Sequence, residues 1–188
     1  MTKYTIRVFG DPVLRQPARP VDEIDGRLAQ LADDMAATMY AAPGVGLAAP
    51  QVGVQKRLFV YDLQDDEGAR AVVNPTITEA SGEWAYDEGC LSVPGLSWTI
   101  VRPRDVLLTG WNLNGDEVTI EATEFEARVY QHEIDHLDGV LLVERLDADQ
   151  RKDALRILRD RALNPDAPDP DGLRKLAADR DPAGHTGL

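Results

Sequence analysis

The clearest hydrophobic pattern in the chain is a helical repeat near its start. Four apolar residues lie three or four positions apart and so share one face of a helix: Leu28, Leu31, Met35 and Met39. Asp22 or Asp25 can cap this helix at its beginning, and Pro43 with Gly44 should end it. The pattern therefore predicts an amphipathic helix that packs on a core through its methionine-containing face.

Helical spacing returns twice in the second half of the chain. One helix should begin near Glu124 and continue through a polar segment. Another is predicted over residues 147–163, and three of its residues form the expected packing face: Leu155, Leu158 and Ala162. This last helix has a basic character, which comes from five side chains: Arg151, Lys152, Arg156, Arg159 and Arg161.

Between the helices, apolar and polar residues alternate as they do in strands. Four segments are expected to be strands: 57–63, 71–78, 106–113 and 117–122. Pro75 should interrupt the second of them, and Asn114-Gly115 is typical of a tight hairpin turn between the last two. The order helix, strands, helix lacks regular strand–helix–strand alternation, which favours an α+β fold. We expect antiparallel β-sheets wrapped around the helix that begins near Glu124.

Length and charge narrow the class of protein. We predict one catalytic domain over residues 1–163, including the C-terminal helix 147–163, and a disordered tail over residues 164–188. Residues 1–150 carry 12 Lys/Arg against 26 Asp/Glu, a net charge of −14, whereas residues 151–188 carry a net +1. Such an acidic body argues against binding of DNA or of an anionic membrane.

Two features predict a cytoplasmic protein. Cys90 is the only cysteine, so no internal disulfide can form, and the first ten residues contain no apolar signal core. Residues 35–55 are uncharged, but prolines and glycines break the segment, which is therefore interpreted as a helix end and a loop: Pro43, Gly44, Gly46, Pro50 and Gly53.

The segment QHEIDH at residues 131–136 is the strongest chemical signal. It holds two of the three histidines of the chain, His132 and His136, four positions apart. On a helix this spacing puts both rings on one face, where they suit two ligands of one metal ion. Glu133 lies next to the first histidine and can reach the open side of such an ion, as a general base must.

The third ligand decides what kind of site this is. Downstream donors are few: His185 lies three residues from the end, and Glu144 is the last glutamate. Cys90 is the remaining soft donor, in a segment where Gly89 allows close backbone approach. A ligand set of Cys90, His132 and His136 leaves one open position, which is typical of a catalytic metal site.

Other interpretations stay open at this point. Cys90 could be a small buried hydrophobe. A peptidase that cuts internal bonds could use Asp153 or Asp160 as its third ligand instead. A metal- or redox-responsive binding protein could use Cys90 as its sensor, although Glu133 argues against it because a sensor needs no general base.

Three motifs in order resemble those of the peptide deformylases. They are GVGLAAPQ at residues 44–51, EGCLS at residues 88–92 and QHEIDH at residues 131–136. The general similarity runs from about residue 8 to about residue 158. The resemblance implies a hydrolase that removes the N-formyl group from the starting formyl-methionine of nascent polypeptides and releases formate.

The resemblance also implies roles for particular residues. Metal-bound hydroxide would attack the formyl carbon with Glu133 as general base, and the Gln51 amide with the Leu91 backbone N–H would stabilise the oxyanion. The family prefers Fe²⁺, and Zn²⁺, Ni²⁺ or Co²⁺ can take its place. The residues expected to bind substrate are Gly44, Val45, Gly46, Glu88, Gly89, Phe125 and Val129.

Two further expectations concern the surface. Many relatives carry an arginine or tyrosine shortly after the cysteine motif, whereas this chain has Ser97 and Trp98, and we expect Trp98 to cover part of the peptide cleft. The basic helix 147–163 is similar to family helices that dock on the ribosome. The partners implied are formyl-methionyl nascent peptides and the ribosome.

Overall fold

The computed structural model describes residues 2–163, in which helices flank and cross a set of antiparallel strands. The helices are α1 (Gly26–Ala41), α2 (Glu124–Leu137) and α3 (Ala148–Leu163). The strands are β1 (Gly46–Ala48), β2 (Leu58–Tyr61), β3 (Arg70–Ser81), β4 (Trp84–Cys90), β5 (Val93–Arg102), β6 (Asp105–Trp111) and β7 (Glu117–Thr123). Short 3-10 helices occur at Pro12–Arg15, Ala49–Val52 and Leu142–Glu144. The predicted disordered tail, 164–188, lies outside the described residues.

The strands form two separate sheets. The larger has the order β1-β2-β3-β6-β7, and the smaller is the hairpin of β4 and β5. All strand pairs within them are antiparallel. Together with the helices they form the predicted α+β fold, with α2 lying against the larger sheet on one side and bonded to the hairpin on the other.

Three clusters of buried residues hold the elements together. The first core joins α2 to the five-stranded sheet and contains Phe59, Tyr61, Leu108 and Tyr130 among its members. The second core joins the hairpin of β4 and β5 to α3, and the third packs α1 on β1, β2 and β3. Helix α2 is therefore enclosed, which is the condition for a water-poor site along it.

Helix α1 forms where the sequence predicts it. The Asp25 carboxylate accepts from the backbone N–H groups of Arg27 and Leu28 at 3.1 and 2.9 Å, and so caps the helix. Three of the four predicted core residues are fully buried, namely Leu28, Met35 and Met39. The fourth, Leu31, is half-buried. The hairpin of β6 and β7 also forms around Asn114-Gly115 as predicted.

Several local predictions were wrong. Strand β3 continues to Ser81, beyond the predicted end at residue 78, and a shift of register between Val73 and Thr76 marks the predicted interruption at Pro75. Strands β4 and β5 were not predicted at all. Residues 44–55, predicted to be a loop, contain strand β1 and a 3-10 helix. The packing face of α3 was predicted to include Ala162, but Ala162 is exposed and Ala154 is buried instead.

No helix within residues 2–163 is both long enough and apolar enough to cross a membrane.

Candidate metal centre

Cys90, His132 and His136 come together in the interior of the protein. Their ligand atoms all lie within 4.8 Å of one another, and the Cys90 Sγ is 3.2 Å from the His136 Nε2. All three side chains are buried. By contrast, Asp153 and Asp160, the ligands that a peptidase would need, lie on α3 with side chains 72% and 64% exposed. The donors that converge are therefore one sulfur and two imidazoles.

The electrostatics of this group suit a cation. Burial alone raises the pKa of the Cys90 thiol, but the charge of His136 and hydrogen bonds from both histidines lower it well below its ordinary value. Burial lowers the pKa of His132, yet hydrogen bonds to Cys90 and Glu88 raise it well above its ordinary value. A thiolate beside two imidazoles is a donor set that suits a soft divalent ion.

Glu88 determines which nitrogen of His132 faces the centre. Its Oε2 lies 3.1 Å from the His132 Nδ1. Burial raises the pKa of Glu88, but hydrogen bonds from His132 and Arg102 lower it to about 2, so the group is a carboxylate. It therefore accepts from Nδ1–H, and the Nε2 of His132 is directed to the ligand group.

The Glu133 carboxylate lies beside the ligand group without a full set of partners. Its Oε2 is buried and makes no hydrogen bond within residues 2–163. Burial raises the pKa of Glu133 to about 7, and the nearby charges of His132 and His136 oppose that rise. A Cβ atom on Gly46 would lie 2.3 Å from the Glu133 Oε1, so only glycine leaves room for this carboxylate.

Gln51 is held so that its amide nitrogen points at the cysteine motif. Its Oε1 accepts from the Ala48 N–H at 2.8 Å. Its Nε2 lies 3.2 Å from the Ser92 Oγ and 3.8 Å from the Cys90 Sγ. The neighbouring Leu91 touches the glycine loop, because a Cβ atom on Gly44 would lie 2.7 Å from its Cδ1. The first two sequence motifs are thus in direct contact.

The residues expected to bind substrate are distributed around this centre. Gly46 pairs with Tyr61, and Gly89 pairs with Ser97 in the hairpin. Val45 accepts a backbone hydrogen bond from Asp62 at 2.9 Å. Val129 is fully buried in the first core, and Phe125 packs partly against that core.

The side chain of Glu88, another of these residues, is 0% exposed and bonds to Arg102, Arg128 and His132. A contact of Glu88 with substrate would involve its backbone, and it stays a prediction. Trp98 lies opposite Glu88 in the hairpin and packs partly against the second core.

Sequence patterns missed four polar residues that surround the centre: Ser92, Arg102, Arg128 and Asp135. Local signals existed for three of them, because Ser92 and Asp135 lie inside two of the motifs and Arg128 precedes His132 by four positions on the helix. Arg102 bonds to Glu88 at 2.6 and 2.9 Å and to Asp135 at 2.9 Å, through contacts between residues distant in the chain. No periodicity predicts such contacts.

Comparison with known proteins gives concordant results. The sequence model described as Polypeptide deformylase matches residues 3–152. The chain is 50% identical over 160 residues to a peptide deformylase of Acidothermus cellulolyticus, a match that spans 85% of this chain and 88% of the relative. It is also 50% identical over 146 residues to a peptide deformylase of Halothermothrix orenii, spanning 78% and 95%.

Solved structures are similar over the same region. A peptide deformylase from Legionella pneumophila superposes with a TM-score of 0.81 at 40% identity, covering 89% of this chain and all (100%) of that one. A peptide deformylase from Ehrlichia chaffeensis in complex with actinonin gives a TM-score of 0.80 at 36% identity, covering 86% and 98%.

Proposed function

The chain belongs to the polypeptide deformylase family, whose members remove the N-formyl group from nascent polypeptides, and from this premise we propose how its own residues carry out that hydrolysis. One observation carries the proposal. The buried Glu133 carboxylate, with an unpartnered oxygen, lies among the charges of Cys90, His132 and His136. A general base beside a set of metal ligands is the arrangement that amide hydrolysis requires.

Cys90, His132 and His136 hold one divalent cation in this proposal. When bound, the cation polarises a water molecule and lowers its pKa towards about 7. Family membership implies a single divalent ion. We propose Fe²⁺, with Zn²⁺, Ni²⁺ or Co²⁺ as substitutes, because one thiolate and two imidazoles suit each of them.

Glu133 moves the proton of the reaction. Its carboxylate takes a proton from the attacking water and returns it to the amine that leaves when the formyl C–N bond breaks. A pKa of about 7, raised by burial, lets the same group accept and release that proton near neutral pH. Gly46 leaves the room that this carboxylate occupies, because a Cβ atom there would overlap it.

Gln51 and Leu91 stabilise the negative charge that develops on the formyl oxygen. The Gln51 Oε1 is fixed by Ala48, so its Nε2 is oriented before substrate arrives. The backbone N–H of Leu91, which follows Cys90 directly, supplies the second donor. Donors that need no reorganisation are the ones that accelerate such a step most.

The substrate binds as an extended peptide in this proposal. The backbones of Gly44, Val45 and Gly46 lie on one side of it and those of Glu88 and Gly89 on the other. Phe125 and Val129 form the apolar wall for the methionine side chain. Trp98 covers part of the cleft; unchanged kinetics of Trp98→Ala on formyl-Met peptides of several lengths would remove that role.

The experiment is formate release from formyl-Met-Ala-Ser by anaerobically purified protein. We expect rapid release by the wild type and a loss of about 10²–10⁴-fold in Glu133→Ala, the range for general-base removal. Asp138→Asn is the matched control, because this carboxylate lies on the exposed end of the same helix and should leave the rate unchanged. No release from metal-loaded wild type would contradict the proposed function.

Ribosome docking and a cytoplasmic location belong to the same proposal. Exposed cations of α3 support docking, namely Arg151, Lys152, Arg156 and Arg159. Arg156 lies 3.9 Å from Asp153 and 4.0 Å from Asp160, so part of this charge is neutralised within the helix. Co-sedimentation with ribosomes at low salt should weaken in a Lys152→Glu, Arg159→Glu double variant, and an unchanged fraction would exclude docking through this face.

A further inference from the structure

Arg128 is the largest of the fully buried side chains, at 1% exposure. Its Nη1 donates to the Glu88 Oε1 and, at 3.1 Å, to the Ile100 carbonyl. Its Nη2 donates to the Trp84 carbonyl at 2.5 Å, and its guanidinium lies over the Trp84 ring at 5.0 Å from the centroid. One helical side chain is thus bonded to β4, to β5 and to the carboxylate between them.

Neutralisation of Glu88 does not require this second guanidinium. Arg102 already bonds to both carboxylate oxygens, with its Nε 2.6 Å from Oε1 and its Nη2 2.9 Å from Oε2. A buried cation costs several kcal/mol in desolvation, and an apolar side chain of similar volume fills such a space at lower cost. Charge balance therefore does not explain why Arg128 is buried here. A role in fixing the orientation of the Glu88 carboxylate does explain it.

The bonds of Glu88 form a continuous path from Arg128 to the ligand group. Oε1 accepts from Arg102 and Arg128, and Oε2 accepts from Arg102 and His132. Arg102 holds both carboxylate oxygens and is itself bonded to Asp135 of α2 at 2.9 Å, so its contacts fix the carboxylate relative to the helix. Arg128 fixes the carboxylate relative to the hairpin as well, because its Nη1 also donates to the Ile100 carbonyl of β5 and its Nη2 to the Trp84 carbonyl of β4.

We propose that Arg128 is a positioning residue of the metal centre: through Glu88 it holds the His132 ring so that Nε2 faces the cation. This inference rests on the proposed metal-binding function. Arg128 also joins α2, which supplies both histidines, to β4, which supplies Cys90. It therefore aligns the two parts of the fold that must meet at one ion.

The test measures Co²⁺ affinity of the full chain by competition with a chelator. Arg128→Met keeps the apolar stem but removes every donor. We expect its dissociation constant for Co²⁺ to rise by about 10–100-fold, the usual effect of losing a group that orients a metal ligand. Arg57→Met is the matched control: Arg57 bonds to Asp138 at 2.6 Å and to the Pro75 carbonyl at 3.3 Å and shares no partner with Glu88 within residues 2–163, so its loss should change the constant less than about threefold.

Arg128→Lys separates position from charge. Lysine keeps the positive charge but has no planar set of donors to hold a carboxylate and two carbonyls at once. We expect it to recover only a minor part of the lost affinity. The urea midpoint of the metal-free chain is measured beside it, because a lower midpoint at wild-type Co²⁺ affinity would show a purely structural role and overturn positioning. This variant also carries the test if Arg128→Met does not fold.

The outcomes are distinguishable. Wild-type protein that binds no Co²⁺ would contradict the proposed function itself. Wild-type binding with equal affinity in Arg128→Met would overturn only the role of Arg128. Full recovery in Arg128→Lys would show that charge suffices and would also overturn positioning, as would equal losses in Arg128→Met and Arg57→Met.

Discussion

The two sides of helix α2 are both buried, but opposite kinds of chemistry stabilise them. On the side of the five-stranded sheet, Tyr130 packs edge-on against Tyr61 at 5.0 Å and lies 5.9 Å from Phe59, measured between ring centroids. Away from this aromatic cluster, the helix presents buried polar groups: Arg128, His132, Glu133, Asp135 and His136. We refer to these as the aromatic side and the polar side.

This contrast shows that one side of the helix contributes stability and the other contributes the reactive groups. The aromatic side needs volume and shape, and the buried hydroxyl of Tyr130 is satisfied by Glu126 at 2.6 Å. The polar side needs a specific partner for each atom, and three atoms have none within residues 2–163: the Arg128 Nε, the Glu133 Oε2 and the His136 Nδ1. Unpartnered buried atoms cost stability, so the polar side keeps its reactivity because the aromatic side stabilises the helix.

The largest effect is expected from Phe59→Ala, which tests whether the aromatic side contributes to stability and not to the reaction. Phe59 is 0% exposed and contacts both tyrosines of the aromatic side. We expect the free energy of unfolding in urea to fall by about 3–5 kcal/mol. Formate release per folded molecule should change less than about threefold, because no group of the centre is altered.

Leu163→Ala is the control for that measurement, since this leucine is 71% exposed and should shift stability by less than about 0.5 kcal/mol. A loss of activity in Phe59→Ala as large as its loss of stability would break the separation between the two sides.

A smaller effect, confined to the polar side, is expected from Gly46→Ala. The added Cβ would lie 2.3 Å from the Glu133 Oε1, and the carboxylate must swing away. We expect kcat/KM to fall by about 100-fold, or about 2.7 kcal/mol in activation free energy, because a displacement of about 1 Å has that effect at a reacting group.

Gly26→Ala provides the matched control, because nothing lies within 4 Å of the Cβ that it adds. If Gly46→Ala retained the full rate while its stability was unchanged, Glu133 would not act from the position that it occupies.

The smallest effect is expected for an ion pair that belongs to neither the aromatic side nor the polar side of α2. The Glu144 carboxylate accepts from Arg15 at 2.8 Å and from the Leu141 N–H at 3.0 Å. Burial raises its pKa, but these bonds and the charge of Arg15 together lower it below the ordinary value of 4.5. A pKa depressed in the folded state contributes stability above the unfolded value, and that contribution is lost as pH falls through the folded one.

Glu144→Gln should therefore be less stable than the wild type at pH 7 by less than about 1 kcal/mol, since the pair is exposed. The difference should shrink towards zero as the pH is lowered below 4.5, as urea unfolding at several pH values would reveal. A difference that grows on acidification would contradict the sign of this pKa shift.

Local patterns determined much of the fold and the centre of the site. Asp25 caps α1, Asn114-Gly115 turns the last hairpin, and the four-residue spacing of His132 and His136 defines one face of α2. Each depends on neighbours a few residues apart, which a period or a turn signal captures. Cys90 entered through elimination of other donors and through the family motifs, and the structure brings it beside both histidines.

Only the tertiary structure determined which charged side chains are buried and which groups they bind. Glu88 meets Arg128 across 40 positions of the chain, and Arg102 meets Asp135 across 33. In the sequence these are ordinary charged residues, and the hairpin that carries two of them has no pattern that predicted it. A buried ion pair depends on the solvent that the whole fold excludes and on partners that it brings together, and neither is encoded in the spacing of neighbouring residues.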